Sequence, residues 1–143
     1  MTARARLFVA ALAVVAVLAV AACSPSGGSS AALQGTWQWT ASTEATPPSQ
    51  AVVPDPENYT ITFNADGTFT AKADCNEVAG TYTADGSNLA LVLGPSTLAM
   101  CPEESLGSLY TSYLDLIATY TVSGDELQTT FIDDTGTMTF TKA

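Results

Sequence analysis

The chain has 143 residues, no histidine, and four basic side chains against fourteen acidic ones, all of the acids lying after residue 43. Arg4 and Arg6 sit at the extreme N-terminus, so the remainder keeps only Lys72 and Lys142 and a net charge of −12, which disfavours nucleic acid and anionic headgroups as partners. The length suits one domain, and the lack of imidazole excludes a Cys–His nucleophile within one chain and leaves zinc short of ligands.

Residues 1–22 have the layout of a secretory signal. Arg4 and Arg6 form a basic start, Leu7 to Val20 is a 14-residue apolar run, and the small residues Ala21 and Ala22 follow. The run is shorter than the roughly 20 residues a membrane-spanning helix needs, and no basic flank follows it. Val20-Ala21-Ala22-Cys23 resembles the bacterial lipobox. That resemblance implies cleavage before Cys23, a diacylglyceryl thioether on its sulfur, and a lipid anchor on the extracytoplasmic side of the cell membrane. The alternative is a plain secretory signal with Cys23 as a free thiol. Residues 23–32 then read as the lipidated cysteine and a flexible tether, because Ser24 to Ala32 contains no large apolar residue to bury.

The domain spans 33–143. Trp37 and Trp39 alternate with polar neighbours as on a half-buried strand. Thr43 to Pro56 holds four of the seven prolines and predicts a long exposed loop, with Val52 and Val53 as its contacts to the body. Tyr59, Ile61 and Phe63 mark the next strand, Asn64 to Gly67 a hairpin turn, and Thr68 to Ala73 the returning strand. After a corner at Asp74-Cys75-Asn76, strands are expected over Gly80 to Thr83 and Leu89 to Leu93, with Gly94-Pro95 as a break. Leu106, Leu109, Tyr110, Tyr113, Leu114 and Ile117 make an apolar stripe of helical period. It predicts a helix over about 102–118, with Pro102 in the first turn and Glu103 and Glu104 complementing its dipole. Tyr120 to Val122, Leu127 to Ile132 and a last strand with Met138 and Phe140 inward complete the chain. The fold class is mainly β (α+β): an antiparallel, barrel-like meander of about eight short strands with one packed α-helix.

Four kinds of chemistry compete for these residues. Asp74, Glu77, Glu103 and Glu104 could supply a carboxylate pair, making the alternative function a small extracytoplasmic hydrolase. Turns and a helix start already account for acids at those places. Asp66, Asp85, Asp125, Asp133 and Asp134 are turn residues, and no EF-hand loop surrounds them, so no metal site and no cofactor are expected. Three cysteines are an odd number, and lipidation of Cys23 would leave Cys75 and Cys101 in an oxidising compartment. A disulfide between them is expected, two buried reduced thiols being the alternative. The remaining class is binding, by a monomer that holds an envelope protein or a small ligand. A cavity lined by Trp37, Tyr59 or Tyr82 would favour the ligand; a packed interior would favour recognition by loops.

Asp66-Gly67, Cys75-Asn76, Gly80-x-Tyr82, Asp85-Gly86 and Thr97-x-Ala99-Met100-Cys101, followed by a helix and a closing Gly-Asp-x-Leu hairpin, resemble the META (HslJ-like) domain over nearly all of residues 33–140. The resemblance implies a compact barrel-like body with a packed helix, found in envelope lipoproteins and secreted proteins linked to stress and without an established enzyme activity. It implies that Asp66, Gly67, Asn76, Gly80, Tyr82, Thr97 and Met100 are the motif residues. One departure stands out: the family usually has glycine before Cys-Asn, and here Asp74 occupies that place.

Overall fold

A computed structural model describes residues 30–143; the signal read over 1–22, the lipidation candidate Cys23 and positions 24–29 of the tether lie outside the described residues. Ser30–Leu33 is one helical turn (α1) rather than the end of a featureless leash. Leu33 is fully buried, and its carbonyl accepts the Trp37 indole N–H at 2.7 Å.

Nine antiparallel strands follow: β1 Gly35–Ala45, β2 Pro48–Val52, β3 Tyr59–Phe63, β4 Thr68–Ala73, β5 Asn76–Asp85, β6 Asn88–Ser96, β7 Ile117–Ser123, β8 Glu126–Phe131 and β9 Gly136–Lys142. All but β2 follow one another round a closed barrel, shut where β9 pairs β1 from Trp37↔Lys142 to Glu44↔Gly136. Burial alternates with period two, as in β3 and β9, because successive side chains point to opposite faces of a strand. The inward set, with Trp37, Trp39, Phe69, Tyr120, Leu127, Met138 and Phe140 almost fully enclosed, packs the interior.

The segment 43–56 is not a loop. β1 runs to Ala45 and folds back as β2 through a cis Thr46–Pro47 bond, with Ala41↔Val52 and Ala45↔Pro48 in register. The prolines mark its turn and its exposed outer strand, where a missing N–H costs no ladder bond. Of the two valines, Val53 is buried and Val52 is 76 % exposed. Gly94-Pro95 likewise does not end β6, which continues to Ser96 across a register shift opposite β5. That stretch is an edge: the β6–β7 ladder consists of the single pair Asn88↔Thr119.

The helix is shorter than its stripe. Pro102 to Ser105 forms a turn, and α2 covers Gly107–Leu116 with no acid in its first turn. The Tyr59 hydroxyl accepts the Leu106 N–H at 2.9 Å and so holds the chain where the helix begins. Ile117 is extended and opens β7. Tyr110, Tyr113 and Leu114 face the core, whereas Leu109 is 40 % exposed and lies off the packed face.

Strand alternation gives the barrel two ends. At the near end lie α1, the turns 64–67, 86–87 and 124–125, and the C-terminus, where the Ala143 N–H reaches the Thr36 carbonyl. At the far end lie the β1–β2 turn, the corner 74–75, the segment 97–106 with α2, and residues 132–135. Helix α2 plugs the far end: Tyr110 stacks on Trp39 at 5.3 Å, and Tyr59 and Tyr113 meet Trp39 edge-on at 5.9 Å.

Candidate functional site

The motif residues divide between the two ends. At the near end Asp66 Oδ1 accepts the Thr68 N–H (2.9 Å) and hydroxyl (2.6 Å), which closes the turn over Gly67 at φ +83°. The Thr68 hydroxyl, then its N–H, hold the Asp66 carboxyl below the usual carboxylate range. The Tyr82 hydroxyl donates to the Asn64 carbonyl at 2.7 Å, and its ring meets Phe63 edge-on at 4.9 Å. Burial, and then the Asp66 charge, raise the Tyr82 pKa. Gly80 sits in the wall between the two groups. A Cβ there would strike the Val92 carbonyl and come within 2.6 Å of the Phe69 ring, so glycine lets that ring lie flat across β5. These are structural duties that build a turn and a wall.

The far-end group is a latch. Cys75 and Cys101 form the disulfide, with Cα atoms 5.5 Å apart. Asp74 adopts φ +60° ahead of Cys75, so aspartate holds the left-handed conformation that a glycine would adopt more readily. Asn76 then satisfies the returning loop. Its Oδ1 accepts the Ala99 N–H at 2.7 Å and the Thr97 hydroxyl at 3.0 Å. Its Nδ2 donates to the Ala99 carbonyl at 3.0 Å and to Cys101 Sγ at 3.3 Å. The Thr97 hydroxyl also accepts the Glu77 N–H at 2.9 Å, and the Thr97 N–H returns to the Glu77 carbonyl at 3.0 Å. One carboxamide thus acts as a strand partner for 97–101, with the disulfide beside it.

Two large side chains on this fixed loop touch little. Leu98 is 94 % exposed and Met100 is 100 % exposed, so the motif methionine is not part of the core. Between the loop and α2 runs a groove of about 550 Å³, lined by Asn76, Leu98, Ala99, Glu103, Ser108 and Thr111 among others. A second crevice of about 340 Å³ lies on the outer wall at Val78 and Pro95. Neither is lined by Trp37, Tyr59 or Tyr82, all three of which are buried in the core.

The catalytic alternative gains no geometry. The carboxylates of Asp74, Glu77, Glu103 and Glu104 take part in no hydrogen bond or ion pair among the described residues. Among those residues no three acids or cysteines converge as a metal site. The one far-end carboxylate with a buried partner is Glu44, which accepts the Tyr113 hydroxyl at 2.7 Å. Burial first, and then that bond, push the Tyr113 pKa up to about 12.

Sequence reasoning missed the latch role of Asn76 and the exposure of Leu98. The only signal for the latter was a Leu-x-Met pair with no neighbouring strand pattern to absorb it.

The comparisons agree with this architecture. The model of the META domain matches residues 31–143. A DUF4847 family protein from Bacteroides vulgatus superposes with a TM-score of 0.57 at 18 % identity, covering 76 % of this chain and 92 % of that one. A protein from Burkholderia xenovorans superposes with a TM-score of 0.62 at 22 % identity, covering 80 % and 87 %. At those identities the likeness is one of fold. No curated protein matches the sequence.

Proposed function

The chain belongs to the META domain family, and on that footing we propose that it is a non-catalytic, lipid-anchored envelope module whose far-end loops recognise a partner polypeptide. The observation that carries this reading is the packed interior. Trp37, Trp39, Tyr110 and Tyr120 fill the space a ligand would need, so recognition falls to the rim. The rim at the far end also has the preorganised loop.

The anchor complements that arrangement. The described chain begins at the near end with α1, and the six residues 24–29 separate Cys23 from Ser30, seven Cα steps in all. A fully extended tether of that length spans about 25 Å. A lipid on Cys23 therefore keeps the near end close to the membrane and directs the Asn76 latch away from it. The stress association that the family resemblance implies fits a module that presents a binding surface to the envelope space.

The test uses the full chain in its own cells, with a photo-crosslinking residue at Met100 or Leu98 and, separately, at Asp85 or Asp125. Adducts that form from the first pair and not from the second support far-end recognition. Adducts from the near-end pair alone overturn it.

A further inference from the structure

We infer that the far-end loop carrying Leu98 and Met100 docks a cationic polypeptide segment in which apolar side chains are interspersed with lysine or arginine. This rests on the reading that the far end recognises a polypeptide, and it adds the chemistry of that polypeptide.

The first observation is the placement of apolar surface. The large apolar side chains left exposed among the described residues are Val52, Val92, Leu98, Met100, Leu109, Leu116 and Ile132. Only Val92 lies on the barrel wall; the other six belong to the far end or to the helix that plugs it. Scattered single exposures are ordinary, but a collection at one end of a small barrel is not. Leu98 and Met100 are the extreme members. Their loop is held from folding them inward, because the disulfide and the four contacts that the Asn76 carboxamide makes to residues 97–101 fix its backbone. A loop that could collapse would hide two such side chains. This one holds them out, and a fixed pair of apolar knobs binds a partner with little ordering cost.

The second observation is charge, and it selects the partner. Of the fourteen acids, Asp66, Asp85, Asp125 and Glu126 lie at the near end and the other ten at the far end. Four of the ten, Asp74, Glu77, Glu103 and Glu104, flank the latch in sequence, and their carboxylates make no ion pair among the described residues. Lys72, the one cation on that half among the described residues, is occupied by the Glu57 carbonyl and the Asn58 side chain at 3.3 and 3.0 Å. Such a field attracts a cationic segment and speeds its encounter, while the knobs supply contact area. It also argues against insertion of the knobs into a membrane, because anionic headgroups would meet ten carboxylates.

The probe is a fluorescent acetylated heptapeptide of alternating lysine and leucine, titrated by anisotropy against the full chain in phosphatidylcholine nanodiscs; empty discs give the background. Leu98→Ser with Met100→Ser, and separately Glu103→Gln with Glu104→Gln, should each weaken binding at least ten-fold. Asp85→Asn with Asp125→Asn at the near end should change it less than two-fold. The exposed positions chosen leave the core intact, and an unchanged urea midpoint verifies it.

Equal weakening by the near-end pair, or equal binding of a lysine–serine peptide, would mean diffuse charge and overturn the inference. Loss of protein self-association in the Leu98→Ser, Met100→Ser chain would assign the surface to a second copy and overturn it. A blue shift of Met100→Trp fluorescence with discs alone would assign it to lipid and overturn it. Binding of a glutamate–leucine peptide that depends on Leu98 would refute the cationic chemistry while leaving far-end recognition standing. Crosslinks confined to the near end would remove that earlier reading itself.

Discussion

Replacing Asn76 by alanine removes the carboxamide that organises residues 97–101. Three of its contacts are hydrogen bonds to oxygen or nitrogen: those with the Ala99 N–H, the Ala99 carbonyl and the Thr97 hydroxyl, at 2.7, 3.0 and 3.0 Å. A net value of about 1 kcal/mol for each gives roughly 3 kcal/mol as an upper figure. Asn76 is only half-buried, so water can reach some of the freed groups, and about 2 kcal/mol is the expected loss. For a domain of this size that corresponds to a fall in Tm of roughly 8–12 °C. Urea unfolding of the oxidised protein at neutral pH gives the first number. Amide exchange gives the second test, since the Ala99 N–H loses its only acceptor and should exchange at least ten-fold faster while the amides of β3 and β4 keep their rates. A midpoint within error of the parent, together with unchanged exchange at Ala99, would refute the latch.

Three further outcomes follow from the same structure, and a fourth from the lipobox-like sequence ahead of it. Unfolding without reductant should expose no thiol from Cys75 or Cys101, and reduction should cost about 3.5 kcal/mol for a separation of 26 residues; two reactive thiols would remove the bridge. Leu114→Ala, at a position 1 % exposed, should cost roughly 2–5 kcal/mol, whereas exposed Ser112→Ala should move the urea midpoint little; equal midpoints would deny the helix its core role. Tyr113 has a folded pKa of about 12 against an ordinary value near 10, so its contribution to stability is complete below pH 10 and is lost as the pH rises towards 12. Tyr113→Phe should flatten that alkaline decline, and an unchanged decline would dismiss Tyr113 as its source. Cys23→Ala should move the chain from the detergent phase to the aqueous phase on partitioning; equal partitioning of variant and parent would remove the lipid anchor.

Local chemistry explains what could be read without coordinates. Asp66-Gly67 and Asp85-Gly86 are turns because short polar side chains and glycine tolerate those backbone angles, and β3 and β4 alternate because one face of each is buried. The Cys75–Cys101 bond came from counting thiols. Its effect did not: that the bond works beside an asparagine carboxamide depends on β5 and the 97–101 loop meeting, which no local signal encodes. The β1–β2 hairpin was hidden because prolines and threonines suit an exposed edge strand as well as a loop. Helix α2 starts at Gly107 rather than Pro102 because the Tyr59 hydroxyl, 47 positions earlier, holds the Leu106 amide.

By itself, then, the sequence determined the strand periods, the turns, the acidic balance and the family, all of which depend on neighbours along the chain. Only the tertiary structure decided that the motif divides between two ends, that Leu98 and Met100 stay in solvent, and that ten acids share their end. Barrel closure brings residues far apart in sequence to one rim, and whether a side chain is covered there depends on which loops the closure leaves beside it.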